Sequence, residues 1–346
     1  GGAVISALYA YAGDEVFEAF DERVCGLLRR GLALPLGRIA CLSPLVLSTL
    51  ATAATAGILA GAADVARLGV SGVARLAGSR SLRRWAQRLQ PPLRRYASRT
   101  TALVRVLEKE FPGQMMSDVR HPNLQVVLNA CELRSGSAFR FGSRESGCWR
   151  YGQVVGNTFS VAEAVAASAA YPLLLPALDR VVRFARRGKE RDARVILTDG
   201  GVFENLGVSC LEPGRRAEFS TNVVDLDYVI SLDAGQGLLD DSPIPYWWAS
   251  RMSRSFESVF RKVQNASYSR LHKYVETGEL SGAIMVFLGQ QDERLPFVPP
   301  DLVRREEVVD YPTDFSAMSA EDLRALTTRG EQLTRFLLPY YCPELL

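Results

Sequence analysis

The chain has 346 residues, of which 47% are hydrophobic and 23% charged, a composition typical of a globular protein with a large core and not of a disordered chain. Its six cysteines form no CxxC pair, and its two histidines, His121 and His272, lie far apart in the sequence. This inventory argues against a disulfide framework, a zinc knuckle and a multi-histidine metal centre. We therefore expect a reducing compartment and no metal or organic cofactor.

The net charge of +3 is distributed unevenly along the chain. Residues 23–107 contain 14 arginines, no lysine and one acid, Asp64, which gives this stretch a net charge of +13 and leaves −10 for the rest. Such separation predicts one segment that meets an anionic surface, attached to an acidic body.

The first predicted element is a small-residue helix that leaves a Gly-Gly turn. Gly1 and Gly2 stand at its start, and Val4, Leu8 and Tyr11 follow at helical spacing. Because the chain opens on glycine and not methionine, its translation start is expected to lie upstream.

Residues 33–107 are predicted to form an apolar and arginine-rich insert. Within it, residues 39–63 carry no charge and are long enough, at 1.5 Å per residue, to cross a hydrocarbon core of about 30 Å. Alanine, serine, threonine and glycine make up more than half of this stretch, and Pro44 interrupts its start. This composition favours a soluble or interfacial helical insert over a membrane segment, although a spanning or re-entrant segment stays open.

The second half of the insert alternates arginines with leucines and two aromatic residues, Trp85 and Tyr96. Guanidinium groups beside tryptophan and tyrosine suit the headgroup zone of an anionic bilayer. A solvated helix face and a nucleic-acid surface are the alternatives. The adjoining apolar stretch favours the membrane, so we expect an anionic membrane surface as partner, and no nucleic acid.

After about residue 120 the sequence alternates between strand and helix signals, as is typical of an α/β layer fold. Residues 125–130 are predicted to form a strand, and SGSAFRFGS a short hairpin. Ser160 and Glu163 form a capping box at the start of an alanine-rich helix, which ends at residues 171–172.

Three short apolar runs predict buried strands, at residues 194–198, 228–232 and 283–288, and the first is expected to be a parallel strand. Between the last two, five apolar residues keep helical spacing and are interpreted as core: Trp248, Met252, Phe256, Val259 and Val263. An amphipathic helix at residues 316–339 closes the chain, with four leucines expected to face inward: Leu323, Leu326, Leu333 and Leu337.

The segment VILTDGGVFENLGV is the strongest candidate for a site. Asp199 stands at the carboxyl end of a predicted strand, where open α/β sheets collect catalytic groups. Gly200 and Gly201 permit a tight turn and a close approach to another loop. Taken alone, Asp-Gly-Gly is also an ordinary turn. Asp233 ends another strand before a glycine and is the second choice for a catalytic acid.

Five segments, in their order and spacing, resemble the patatin-like phospholipase family: GGAVISALYA, PNLQVVLNACELRSGSAFRFGS, AVAASAAYPLLLP, DGGVFENLGV and RGEQLTRFL. The resemblance covers about the first ten residues and most of the chain from Pro122 onward, whereas residues 26–120 carry no matching motif. The resemblance implies an α/β fold with a three-layer α/β/α sheet. Because the sequence has no internal repeat and no low-complexity linker, we expect one hydrolase domain over residues 1–346, and the composition of the insert predicts that it faces a membrane.

The resemblance also implies a serine–aspartate dyad. In this family the serine of G-x-S-x-G lies on a strand-to-helix elbow, and the aspartate of DGG is its acid/base partner; Asp199 matches that aspartate. Gly1 and Gly2 resemble the two residues that follow the serine, so the serine would immediately precede Gly1, and the chain as written is expected to be truncated and inactive. Gly200 and Gly201 would form the supporting turn.

The expected function is therefore serine-dependent hydrolysis of a fatty-acyl ester, of phospholipase A or lysophospholipase type, at a membrane and on its cytoplasmic face. A non-catalytic membrane-binding or scaffolding protein with the same fold is the alternative, and an acyltransferase that uses the same dyad is a third interpretation. Ser6 is expected to be a packing residue of the first helix and not a replacement nucleophile, and His121 and His272 are expected to be surface or packing residues. Glu204 and Asn205, which follow the Asp-Gly-Gly turn, are expected to cap or support the next helix.

Overall fold

The computed structural model of the chain describes residues 2–11, 16–32, 61–62, 65–66, 68–88, 98–121, 123–172, 175–235, 246–312 and 315–346. Its helices are α1 (Gly2–Tyr11), α2 (Phe17–Arg30), α3 (Arg80–Arg88), α4 (Arg99–Glu110), α5 (Val161–Ser168), α6 (Trp248–Glu276) and α7 (Ala320–Tyr341). Its strands are β1 (Val127–Glu132), β2 (Ser137–Gly142), β3 (Ser146–Cys148), β4 (Gly152–Val154), β5 (Leu178–Arg186), β6 (Lys189–Asp199), β7 (Tyr228–Asp233) and β8 (Gly282–Phe287).

Strands β1 to β6 form a closed barrel in which every pair of neighbours is antiparallel. The barrel closes between β6 and β1, where Asp199 lies opposite Ala130. Four buried phenylalanines pack ring against ring in its core, with centroids 4.9 to 6.4 Å apart: Phe139, Phe141, Phe159 and Phe184. These four rings form one aromatic cluster within the main hydrophobic core, whose other buried residues are mostly aliphatic.

The α/β class is confirmed, but the strand pairings of the described residues differ from the predicted three-layer sheet. The strand predicted at residues 194–198 exists within β6, yet it is antiparallel to both β5 and β1, so the prediction of a parallel strand was wrong. The cause is the two-residue turn at Arg187 and Gly188, whose φ angles of 51° and 72° are those of a type I′ hairpin. A hairpin this short can only join antiparallel strands. The predicted strands at 228–232 and 283–288 are β7 and β8, which do pair in parallel.

Helix α5 ties the barrel to the first helix. Ser160 Oγ accepts the Glu163 N–H at 3.1 Å, and Glu163 Oε2 accepts the Ser160 N–H at 3.4 Å, so the predicted capping box is confirmed. Alanine and valine occupy six of the eight helix positions as buried residues, and these small side chains let α5 pack closely against β1, β6, α4 and α1. The carboxyl end of α5 is thereby brought to the end of β6.

The predicted membrane segment at residues 39–63 lies outside the described residues, apart from residues 61–62. In the part of the chain that the structure describes, no helix is long and apolar enough to cross a membrane. Residues 68–76 and α3 are helical, and α3 exposes Leu82 and Trp85. In α4, Leu103 and Leu107 are buried in the main core, so the core includes the last part of the segment predicted as insert.

Helix α6 corrects one prediction and α7 confirms another. Trp248, Met252 and Val259 of α6 are 75%, 60% and 62% exposed, so the interpretation of this stripe as core was wrong. Helical spacing fixes which residues share a face, but it does not fix what covers that face. In α7, by contrast, Leu323, Leu333 and Leu337 are buried as predicted and Leu326 is half-buried.

Candidate active site

Asp199 is the last residue of β6, where the strand passes into the 3-10 turn Gly200–Val202. Its N–H donates to the Ala170 carbonyl at 3.1 Å, and Thr198 Oγ1 donates to the same oxygen at 2.7 Å. Ala170 follows α5, so these two bonds fix the end of β6 against the end of that helix. The position of the aspartate is thus determined from two sides, by the barrel and by α5.

Only one of the two oxygens of the Asp199 carboxylate accepts a hydrogen bond from the residues that the structure describes. Oδ1 accepts the Gly201 N–H at 2.7 Å, while Oδ2 accepts no hydrogen bond from any residue that the structure describes. Burial raises the pKa of this carboxyl above its ordinary value, and the hydrogen bond from the Gly201 N–H acts in the opposite direction. A carboxylate that is fixed by one oxygen and whose basicity is increased by burial is suited to accept a proton.

Gly200 is required by a close approach of two backbones. A Cβ atom at this position would lie 2.4 Å from the Asn129 carbonyl oxygen of β1. At Gly201 a Cβ would lie 2.9 Å from Asp199 Oδ1, and would crowd the oxygen that its own N–H binds. The expectation that the glycines let the turn approach another segment is met at Gly200, since the neighbouring strand leaves no room for a side chain.

Replacing Gly200 by alanine is expected to lower the free energy of unfolding by about 1–3 kcal/mol, because β1 or the turn must move to admit the methyl group. Urea unfolding measures the change. Gly330→Ala is the matched control: Gly330 lies within α7 with open space around it, and alanine there is expected to leave the free energy of unfolding unchanged or to raise it. Equal unfolding curves for Gly200→Ala and the parent chain would contradict the steric argument.

Two residues near the turn were not identified from the sequence. Asn129, on β1 beside Gly200, has a buried Oδ1 with no hydrogen-bond donor among the described residues. Tyr171 lies close enough to Asp199 for the aspartate to act on its pKa, which is raised by burial first and then by Glu257 and Asp199. The signal that could have identified Asn129 is a polar residue inside the apolar run VVLNA. Tyr171 was interpreted only as the end of the alanine-rich helix.

An apolar wall stands beside the turn. Phe260 Cε2 lies 3.3 Å from the position that a Cβ on Gly201 would take, and the rings of Tyr171 and Phe256 are 6.4 Å apart. The aspartate therefore faces a boundary between polar backbone and aromatic side chains of α6.

Glu204 supports the short 3-10 helix that follows the turn, Val208–Cys210, as predicted. It is buried, and its two carboxylate oxygens accept the N–H groups of Leu206 at 2.9 Å and Ser209 at 3.2 Å. Asn205 Oδ1 lies 3.0 Å from the Cβ position at Gly201 and so packs against the same turn.

Asp233, the second-choice acid, is occupied by its own neighbours. Oδ1 accepts the Gly235 N–H at 2.8 Å, and Oδ2 accepts from the Tyr268 hydroxyl at 2.8 Å and from Gln264 Nε2. Burial, and next the Asp233 charge, raise the pKa of Tyr268. Asp233 thus joins β7 to α6, and its geometry is that of a structural residue.

The remaining predicted residues lie on or near α1, except His272, which lies on α6. Gly1 is outside the described residues; Gly2 begins α1 and is exposed. Ser6 is exposed, so its expected packing role was wrong. His121 stacks on Tyr9 with ring centroids 5.3 Å apart and has Nε2 at 3.2 Å from the Tyr9 carbonyl oxygen, which confirms a packing role; His272 is a surface residue.

No cluster of three or more histidine, cysteine, aspartate or glutamate residues capable of holding a metal ion is present within the described ranges. The geometry around Asp199 offers a positioned carboxylate beside the backbone N–H of Gly201.

The patatin-like phospholipase family model matches residues 1–210. The match contains the opening Gly-Gly segment, the barrel and Asp199, and it stops before β7, so the closing RGEQLTRFL segment lies outside it. A comparison with curated proteins gives no match. Since the matched residues make up more than half of the chain, it belongs to the patatin-like phospholipase family.

Proposed function

We propose that this protein hydrolyses fatty-acyl esters of phospholipids or lysophospholipids with a serine–aspartate dyad. In this proposal Asp199 takes the proton of a serine that immediately precedes Gly1, and the serine oxygen attacks the ester carbonyl. The alcohol part of the lipid leaves with that proton as the ester bond breaks. Water then hydrolyses the acyl-enzyme, which releases the fatty acid and restores the serine. The observation that carries the proposal is the Asp199 carboxylate itself, with Oδ1 held by the Gly201 N–H and Oδ2 open.

Electrostatics around Asp199 support this role. Burial raises the pKa of its carboxyl, which strengthens it as a base, and the Gly201 N–H acts on that pKa in the opposite direction. Helix α1 begins at Gly2, so the positive end of its dipole lies beside the residue that would follow the serine. Backbone N–H groups at this helix start would stabilise the developing oxyanion.

The aromatic wall of α6 supports a lipid substrate. Phe256 and Phe260 lie beside the Asp199 turn, and together with Tyr171 they offer an apolar surface for an acyl chain next to the carboxylate. The matched family has the same substrate class in its description.

We further propose that the protein works on an anionic membrane surface, at the cytoplasmic face, and that α6 contributes to this contact. Tyr246, Trp247 and Trp248 are each more than 70% exposed at the start of α6, and Met252 follows on the helix. The first half of the helix also carries four cations and one acid: Arg251, Arg254, Arg261, Lys262 and Glu257. Tryptophan, tyrosine and arginine in one exposed segment are typical of the membrane interface. Trp85 on α3, within the arginine-rich insert, is exposed as well.

The variant Trp247→Ser/Trp248→Ser is expected to lower the hydrolysis of phospholipid in anionic vesicles by about tenfold, because two interfacial rings are lost. Hydrolysis of a soluble short-chain ester should stay unchanged, because neither ring belongs to the dyad. Tyr340→Ser removes an exposed aromatic residue of α7 and serves as the control, with no effect on either substrate. A parallel loss on both substrates would argue against a membrane role for this part of α6.

The proposed function is tested with a protein that includes the residues preceding Gly1. We expect a serine directly before Gly1, labelling of that serine by a fluorophosphonate, and release of fatty acid from a phospholipid or lysophospholipid. If the residue is not serine, or if the protein is neither labelled nor active with both residues intact, the hydrolase proposal fails and a non-catalytic membrane-binding protein replaces it. Product analysis with added alcohol distinguishes transfer to water from acyl transfer.

A further inference from the structure

A second candidate site lies at the end of the barrel away from Asp199. The connections after β1, β3 and β5, at residues 133–136, 149–151 and 187–188, meet at one end because alternate strands of an antiparallel barrel run in the same direction. They surround an open cavity of about 780 Å³. Arg191 of this cavity and Asp199 stand eight residues apart on β6, which corresponds to about 26 Å at 3.3 Å per residue.

The cavity is lined mainly by guanidinium groups and aromatic rings: Arg134, Arg150, Arg186, Arg191, Trp149 and Tyr151. None of these four arginines forms an ion pair with a carboxylate of the described residues. This contrasts with Arg183, which lies on the same hairpin but outside the cavity and pairs with Asp192 at 2.9 Å. The cavity therefore concentrates positive charge that nearby acids do not neutralise.

Two of the guanidinium groups rest against aromatic rings. Arg150 Cζ lies 5.8 Å from the centroid of Trp149, and Arg191 Cζ lies 5.6 Å from the centroid of Tyr151. A cation–π contact holds a guanidinium group through the ring face and leaves its N–H edge available for an oxygen ligand. These two arginines are thus oriented without losing their donors.

The guanidinium groups of Arg134 and Arg186 are oriented by hydrogen bonds to backbone carbonyls. Arg134 Nη1 donates to the Arg194 carbonyl, and Arg186 Nη1 donates to the Arg150 carbonyl at 2.9 Å. Each bond uses one donor of a guanidinium group that has five, so most of the donors stay available.

The carboxylates around the cavity do not compete with a bound anion for the four guanidinium groups. Glu132 is buried next to it, where it accepts the backbone N–H groups of Ser135 at 2.8 Å and of Arg134 and Ile196 at 3.2 Å. On the exposed β5–β6 turn, Arg187 and Lys189 outnumber the single acid Glu190. The local charge is therefore strongly positive.

We propose that this cavity binds a phosphate monoester, either on a lipid headgroup or on a soluble molecule. A monoester carries a charge of about −1.5 to −2 at neutral pH and three acceptor oxygens, which suits several converging guanidinium groups better than the single charge of a phosphodiester. The cavity is larger than a phosphate group, and Trp149 and Tyr151 give its wall apolar surface for the organic part of the ligand. Neither the family match nor the proposed hydrolysis assigns a role to this end of the barrel.

The test compares monoester with diester binding to the whole protein. Calorimetric titration with inorganic phosphate and O-phosphoethanolamine measures soluble ligands, and flotation with phosphatidylcholine vesicles that contain either phosphatidate or, at equal surface charge, phosphatidylglycerol measures lipid headgroups. We expect a preference for the monoester, and we expect Arg150→Gln/Arg191→Gln to weaken its binding by about tenfold or more. The control Arg183→Gln/Arg335→Gln removes the same charge outside the cavity and should leave binding unchanged.

Monoester binding that depends on Arg150 and Arg191 supports the proposal, and the set of probes bound shows whether the source is a soluble molecule, a lipid or both. Equal binding of phosphatidate and phosphatidylglycerol with no binding of soluble monoesters, equal weakening by the two double variants, or no binding to any probe would overturn it. Acyl-ester hydrolysis is measured separately, so failure of the proposed function leaves this test unaffected.

Discussion

Replacement of Asp199 by asparagine, in a protein that includes the residues before Gly1, is expected to lower kcat for acyl-ester hydrolysis by about 10²–10⁴-fold. The amide can still accept the Gly201 N–H through its oxygen, so the turn keeps its geometry. The amide nitrogen, however, cannot take a proton from the serine. Initial rates with a soluble short-chain ester, together with the rate of fluorophosphonate labelling, measure the loss at the chemical step.

Asp192→Asn is the matched control for this variant. Asp192 lies on the same strand, is exposed, and pairs with Arg183, so its loss removes an equal charge without touching the turn. Its rate should stay within about twofold of the parent protein, as is usual for an exposed ion pair. If Asp199→Asn were equally active, Asp199 would not be the base, and the geometry of the turn would have to be explained by structure alone.

The stability of Asp199→Asn should separate these two roles. Burial raises the pKa of Asp199 in the folded protein, so its protonated form favours folding at low pH, and this contribution is lost as the pH rises through the folded-state pKa. At neutral pH the ionised carboxylate therefore costs stability, and the asparagine variant should unfold at the same temperature as the parent or at a higher one. The difference should disappear below about pH 4, the ordinary range for aspartate. Thermal unfolding at several pH values gives this comparison.

The position of Asp199 could be predicted because its signals are local. An apolar run ended by Asp-Gly-Gly specifies a strand end followed by a turn, and the capping box at Ser160 specifies where α5 begins. Both depend on residues that are neighbours in sequence. The steric reason for Gly200 could not be read in the same way, because its contact, the Asn129 carbonyl, is 71 positions earlier in the chain.

The barrel could not be predicted from apolar runs alone. A buried strand has the same composition whether its neighbours are parallel or antiparallel, and the deciding signal was the short turn at Arg187 and Gly188. For α6, a regular apolar stripe that includes Trp248 suggested a buried face, yet Trp248 is exposed. Exposure depends on what lies opposite the helix, and the sequence pattern of the helix does not contain that information.

Replacing Arg329 by methionine is expected to lower the free energy of unfolding by about 3–5 kcal/mol. Arg329 is fully buried in α7, pairs with Asp292 at 2.9 Å, and donates to the carbonyls of Leu288 at 2.8 Å and of Val303 and Gln290 at 2.6 Å. Methionine fills similar space but leaves a buried carboxylate unpaired and three carbonyls without donors. Urea unfolding measures the change; Arg335→Met, an exposed position on the same helix, should change it by less than about 0.5 kcal/mol.

The Arg329 variant also tests whether residues 211–346, which the family model does not match, unfold together with residues 1–210. The chain before α7 is bonded to the end of α2, where the Leu32 N–H donates to the Phe315 carbonyl at 2.8 Å and the Met318 N–H donates to the Leu28 carbonyl at 3.0 Å. Loosening α7 should therefore increase hydrogen exchange in α2 as well as in α7. Faster exchange confined to α7 and β8 would instead mean that the matched residues form an independent cooperative unit, in which case the chemistry at Asp199 would be insensitive to Arg329.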